Sequence, residues 1–131
     1  MPISVHNFLR YYLPVFLWMA FIFTLSSVPG TNVPNLFPYF HQAVHFVEYS
    51  VLAFLCMRAV QYHCLAWTYV RITAKTMGIV IAFAASDEWH QTFILGRMGQ
   101  AQTVLFDSLY AGIGAGLFFF MTVGRKNRSA E

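Results

Sequence analysis

Charge is scarce in this chain: Asp, Glu, Lys and Arg make up 10% of its 131 residues, against roughly a quarter in a soluble domain. Beside a 58% hydrophobic content, that scarcity argues against a soluble monomer. Cysteine is nearly missing. Cys56 and Cys64 are too few for a secreted disulfide framework and match no paired zinc spacing. The net charge of +3 rests on Lys and Arg scattered between apolar runs, so no basic face forms and nucleic acid is not expected as a partner. No repeat of about 20 to 50 residues is present, which excludes a solenoid. What is abundant is apolar sequence. Four bilayer spans of about 20 residues each fit the length, with three short loops and two tails, in a single domain over residues 1–131.

The clearest span, 11–28 (YYLPVFLWMAFIFTLSSV), contains no charge. It ends in Ser26, Ser27, Val28 and Pro29 rather than at a small-residue cleavage site, so it reads as retained. Pro29, Gly30, Pro34 and Pro38 punctuate the following loop. A second apolar run, about 43–60, carries His45 and Glu48. The third, about 72–93, is apolar from Thr76 to Ala85 and then meets Ser86, Asp87, Glu88, His90 and Gln91. It reaches spanning length only if this acidic turn stays helical and faces protein or water. The fourth, about 104–123, opens near Asp107 and contains Gly112, Gly114 and Gly116, with Gly112 and Gly116 in a GxxxG pair that permits close helix approach. The expected fold is all-α, a polytopic four-transmembrane-helix bundle, with 124–131 as a disordered cytoplasmic tail.

Four spans put both termini and the second connection on one side. Arg10, Arg58, Arg71, Lys75, Arg125, Lys126 and Arg128 fall there, and only Arg97 falls opposite. The positive-inside rule then makes the termini cytoplasmic and the Arg97 loop external. The acids follow another logic. Apart from Glu131, they are Glu48, Asp87, Glu88 and Asp107, and each lies inside a span. Glu48 and Asp87 sit roughly 15 to 18 Å from the cytoplasmic flanks at about 1.5 Å per residue, in the outer half. Ser26 and Ser27 close the first span at that level.

Residues three and four apart share a helix face. This aligns His41, His45 and Glu48, and sets Gln91 beside both Asp87 and Glu88. Leaving an ionised group in lipid costs about 2.5 to 3.5 kcal/mol on the insertion scale. The polar groups are therefore expected to converge on an outward-facing pocket with Arg97 in its lid loop.

Two stretches give a resemblance. HFVEYSVLAFL, from His45 to Leu55, is similar to the His-Phe-x-Glu-Tyr segment of the VanZ-like family of small bacterial membrane proteins. DEWHQTFILGRMG, from Asp87 to Gly99, resembles that family's Asp-Glu-x-x-Gln block followed by Gly-Arg. LSS at Leu25 to Ser27 and the Gly-rich last span extend the likeness over nearly the whole chain. The resemblance implies an integral protein of the bacterial cytoplasmic membrane and matches His45, Glu48, Tyr49, Asp87, Glu88, Gln91 and Arg97 to motif positions. It also suggests a link to glycopeptide resistance, since the family is named for a member associated with resistance to teicoplanin. The chain departs from the pattern at His41 and Gln42, where the family often has Asp-Lys, and at Thr103, where it often has Asp. Asp107, one turn on, presents a carboxylate on nearly the same face.

These residues support an expected site in which Glu48, Asp87, Glu88 and His45 are the candidate acids and bases. Arg97, Gln91, Tyr49, Asp107 and Ser27 are the candidate binding groups. An arginine that can pair with phosphate beside carboxylates that can move protons suits membrane lipids or a lipid-linked phosphate as partner. No resident cofactor is expected. His45, Glu48, Asp87 and Glu88 could ligate a divalent metal, but the order His-x-x-Glu reverses the Glu-x-x-His of di-iron bundles and no second copy is present. A proton relay or small transporter, and an accessory subunit with a purely structural polar network, are the alternatives. Whether the chain forms homo-oligomers is not legible in the sequence.

Overall fold

The computed structural model describes residues 3–128, and among them there is no strand. Four long helices account for most of the chain: α1 (Val5–Ser26), α2 (Phe40–His63), α3 (Tyr69–Gln91) and α4 (Ala101–Arg128). They match the four expected runs: every helix starts three to six residues earlier, α2 and α4 end later, and α1 and α3 end two residues earlier than expected. Polar residues at a helix end do not stop it unless a breaker intervenes. Pro38 and the left-handed Tyr39 (φ 65°) mark the start of α2. The last helix continues through Arg128, so Arg125, Lys126 and Arg128 extend α4 rather than forming a disordered tail. Arg and Lys are good helix formers, and the lone Gly124 does not break the run. Residues 129–131 of the expected tail lie outside the described residues.

Within α1, Phe8–Tyr12 is π-helical. Pro14, two residues on, has no N–H to give the carbonyl of Arg10 in an α-helical pattern. Arg58 of α2 supplies the missing donor, its Nη2 reaching Arg10 O at 2.7 Å. Tyr11 stacks on Tyr62 with ring centroids 4.2 Å apart, and the Arg58 guanidinium lies over Tyr11 at 5.1 Å. This cluster fastens the start of α1 to the end of α2.

Helices α1, α2 and α4 are long and apolar enough to cross a membrane. Helix α3 has 23 residues and so the length of a span, about 34 Å at 1.5 Å per residue. Arg71 and Lys75 near its start and Asp87 and Glu88 near its end make it less apolar than the other three. Its acidic end is buried against the other helices, while Arg71 and Lys75 are exposed at the opposite end. The bundle is apolar outside and polar within at one level. Leu105, Leu109, Ile113 and Leu117 run down the outer face of α4, while Asp107, Ala111, Gly114, Ala115 and Phe118 run down its inner face. These features fit a membrane protein.

Helix α4 packs most extensively on α2, and one glycine makes that possible. A Cβ on Gly114 would lie 2.0 Å from Ser50 O. Ser50 Oγ also donates to Tyr110 O at 3.0 Å. Gly112 and Gly116, the expected GxxxG pair, face open space instead. The close approach falls between them because the buried stripe of α4 passes through 107, 111, 114 and 118, which puts 112 and 116 on other faces.

Candidate functional site

The polar level is built by the last turns of α1 and α3, the first turns of α2 and α4, and two loops clasped together. Gly30 N donates to Leu95 O at 2.9 Å, and a Cβ on Gly30 would lie 2.0 Å from Gly96 O. Gly96 takes φ 73°, a conformation that favours glycine. The Gly-Arg pair therefore makes a tight turn that aims Arg97 back at the bundle. Its Nε and Nη2 donate to Val28 O and Leu25 O at 2.9 and 3.0 Å. These are carbonyls at the C-terminal end of α1, where a cation is electrostatically favoured. Its Nη1 donates to Gln91 Oε1 at 3.3 Å.

Gln91 passes this order to two acids. Its Nε2 donates to Asp87 Oδ2 at 3.1 Å and to Glu88 Oε1 at 3.4 Å, as residues three and four apart on one helix face allow. Asp87 Oδ2 also accepts from Ser26 Oγ at 2.7 Å. Glu88 Oε2 accepts from the backbone N–H of Gln100 at 2.9 Å. Gly99 permits that last bond, since a Cβ there would meet Glu88 O at 2.1 Å. Across the bundle, His45 Nδ1 and Asp107 Oδ1 lie 2.9 Å apart. All four acids are buried, with Asp107 at 0% and Asp87 at 1% exposure.

A cavity of about 580 Å³ opens beside these groups, lined by His45, Glu88, Gln91, Arg97 and Asp107 together with His41, Tyr39, Phe106 and Tyr110. A smaller one, about 180 Å³, is lined by Ser26, Glu48 and an apolar wall that includes Leu25, Val28 and Val44. His41, His45 and Arg97 line both and form the partition between them.

The expected site residues thus divide. His45, Glu88, Gln91, Arg97 and Asp107 share the larger cavity, and Glu48 faces the smaller one. Asp87 lines neither and is held behind them by Ser26 and Gln91. Tyr49, expected as a binding residue, is fully buried beneath His45 at a ring distance of 6.0 Å. Ser27 turns away, bonding Phe23 O at 2.7 Å and His90 Nε2 at 3.0 Å. Its neighbour Ser26 is the serine that reaches the acids. His90, stacked on Phe23 at 4.1 Å, is a tie between α1 and α3 outside both cavities. His41, which the sequence aligns with His45 and Glu48 without assigning it a role, lines both cavities. Its place one turn before His45 is the signal that marks it.

Among the described residues the one contact short enough for an ion pair is His45 with Asp107, and it is one only when the imidazole is protonated. Arg97 spends its named hydrogen bonds on two carbonyls and an amide rather than on a carboxylate. The cavity therefore combines a cationic rim with a carboxylate floor that no Lys or Arg neutralises. It can accept a group with anionic and hydroxyl character at the rim and a cation or proton at the floor.

Residues 11–122 match the model of the VanZ/LLP1 family. Neither a search of curated proteins nor one of solved structures finds a match. The matched stretch takes in most of α1, all of α2 and α3 and the described side chains of α4, and the chain belongs to the VanZ/LLP1 family.

Proposed function

We propose that this protein is a multi-pass protein of the bacterial cytoplasmic membrane whose cavity binds the phosphate-bearing headgroup of an envelope lipid or lipid-linked precursor. In this reading all four helices cross, both termini are cytoplasmic and the cavity opens outward. The burial of Asp87, Glu88 and Gln91 within the bundle supports α3 as a span, because these are the groups that hydropathy alone would bar from lipid. The observation that carries the ligand class is the cavity itself. Arg97 at its rim matches an anionic headgroup, His41 beside it offers an imidazole N–H donor, and Tyr39, Phe106 and Tyr110 give it an apolar wall that an acyl or prenyl chain can follow. A role in glycopeptide resistance follows by family analogy, through shielding or altering such a precursor.

Native mass spectrometry of protein released from membrane-like particles tests the reading. Wild type is expected to retain a phospholipid or polyprenyl-phosphate adduct, and Arg97→Ala and His41→Ala are expected to lose it. Because Arg97 also holds the end of α1, the exposed His41 provides the variant least coupled to folding. Wild type released without any adduct, or adducts unchanged in both variants, sinks the proposal.

A further inference from the structure

Two buried carboxylates and one half-buried imidazole converge from three different helices. His45 of α2, Glu88 of α3 and Asp107 of α4 each offer a ligand atom, and these atoms lie within 4.8 Å of one another. All three line the larger cavity. We propose that they form a site for one divalent transition-metal ion, of the Zn²⁺ or Mn²⁺ kind, with its remaining coordination positions open to the cavity.

An independent observation points into the same place. Asp107 is fully buried, and its Oδ2 has no hydrogen-bond partner, while Oδ1 faces His45. A buried carboxylate oxygen without a donor costs the full desolvation of that atom unless something positive reaches it. No Lys or Arg among the described residues pairs with Asp107, Glu88, Asp87 or Glu48. The guanidinium of Arg97 is turned to Leu25 O, Val28 O and Gln91. A dication on His45, Glu88 and Asp107 supplies the missing charge.

The surrounding bonds are those that orient ligands. Glu88 is fixed by Gln91 and by the Gln100 N–H, the kind of outer support that metal-binding carboxylates carry. An imidazole with two carboxylates suits a first-row divalent ion, whereas Mg²⁺ and Ca²⁺ favour oxygen ligands throughout. Three protein ligands beside an open cavity leave room for water or a bound anion. This set differs from the one the sequence suggested: Asp107 joins His45 and Glu88, while Glu48 and Asp87 lie outside it. The site stands apart from the lipid reading, since it needs only the metal.

The test titrates Zn²⁺ or Mn²⁺ alone into the full chain, delipidated in detergent and stripped with chelator. One equivalent is expected to bind. Asp107→Asn and His45→Gln should each weaken binding by more than about 100-fold, beyond the roughly 10- to 100-fold expected of the outer-shell change Gln91→Ala. His63→Gln, at the far end of α2, should leave it unchanged. The Mn²⁺-loaded wild type should show electron-spin-echo modulation from one imidazole nitrogen, a readout that survives if the variants misfold. No stoichiometric binding, no imidazole signal, or equal affinity in folded Asp107→Asn would each overturn the site. Measuring lipid adducts in chelator separates the two readings, because a retained adduct without metal binding removes the cation site alone.

Discussion

At the scale of single residues, several buried hydroxyls carry a thermodynamic debt that the fold does not settle internally. Thr76 of α3 is fully buried between Ile72 and Val80 on the same face, and its Oγ1 has no partner; the hydroxyls of Tyr12 and Tyr49 share this condition. A buried unpaired polar group costs about 1–3 kcal/mol. Valine has the shape of threonine without the hydroxyl, so Thr76→Val is expected to leave the melting temperature in detergent unchanged or raise it. Thr76→Ala should lower it by opening a small void. A fall with valine as large as that with alanine would show that the hydroxyl is satisfied within the folded protein.

At the scale of helices, the glycines of α4 separate a packing role from a mere propensity. Gly114→Ala would put a methyl group against the backbone of Ser50, and α2 and α4 would have to part. It is expected to lower the melting temperature sharply and to detach the first turns of α4 from α2, taking Asp107 away from His45. Gly112→Ala and Gly116→Ala meet nothing within 4 Å and should be neutral or stabilise the helix by up to about 1 kcal/mol. Thermal unfolding of the three variants decides the matter, and equal effects would contradict the packing. The same comparison shows how far the sequence reaches. Apolar length and i, i+4 spacing locate four helices and set Gln91 beside Asp87 and Glu88, since both are properties of one helix alone. They do not tell Gly114 from Gly116, Ser26 from Ser27, or Asp107 from Glu48 as a neighbour of Glu88. Those distinctions depend on how one helix is rotated against another, and that rotation is decided by the sum of contacts along the interface rather than by any local pattern. The π-turn in α1 was hidden for a similar reason, since Pro14 is visible in sequence but its remedy, Arg58, lies on another helix.

At the scale of the molecule, the distribution of charge sets a direction for the bundle. The positively charged flanks of α2 and α3 meet at the second connection, where Arg58 reaches Arg10 O and Lys75 lies over Trp67 at 5.2 Å. The acids and Arg97 gather at the opposite end. If the positive end is cytoplasmic, the cavity opens outward, and a native cysteine can report it. Cys64 ends α2 at the second connection and is half-buried, whereas Cys56 is 2% exposed in the core. A membrane-impermeant maleimide should therefore label the chain in inverted vesicles and not in intact spheroplasts, and Cys64→Ser should remove the label. Labelling from the outer face instead would reverse the bundle and point the cavity at the cytoplasm. A headgroup ligand would then have to come from the inner leaflet, and metal supply would be that of the cytoplasm. The direction of one thiol thus decides which side of the membrane can load the His45, Glu88 and Asp107 site, independently of whether the lipid or the cation binds first.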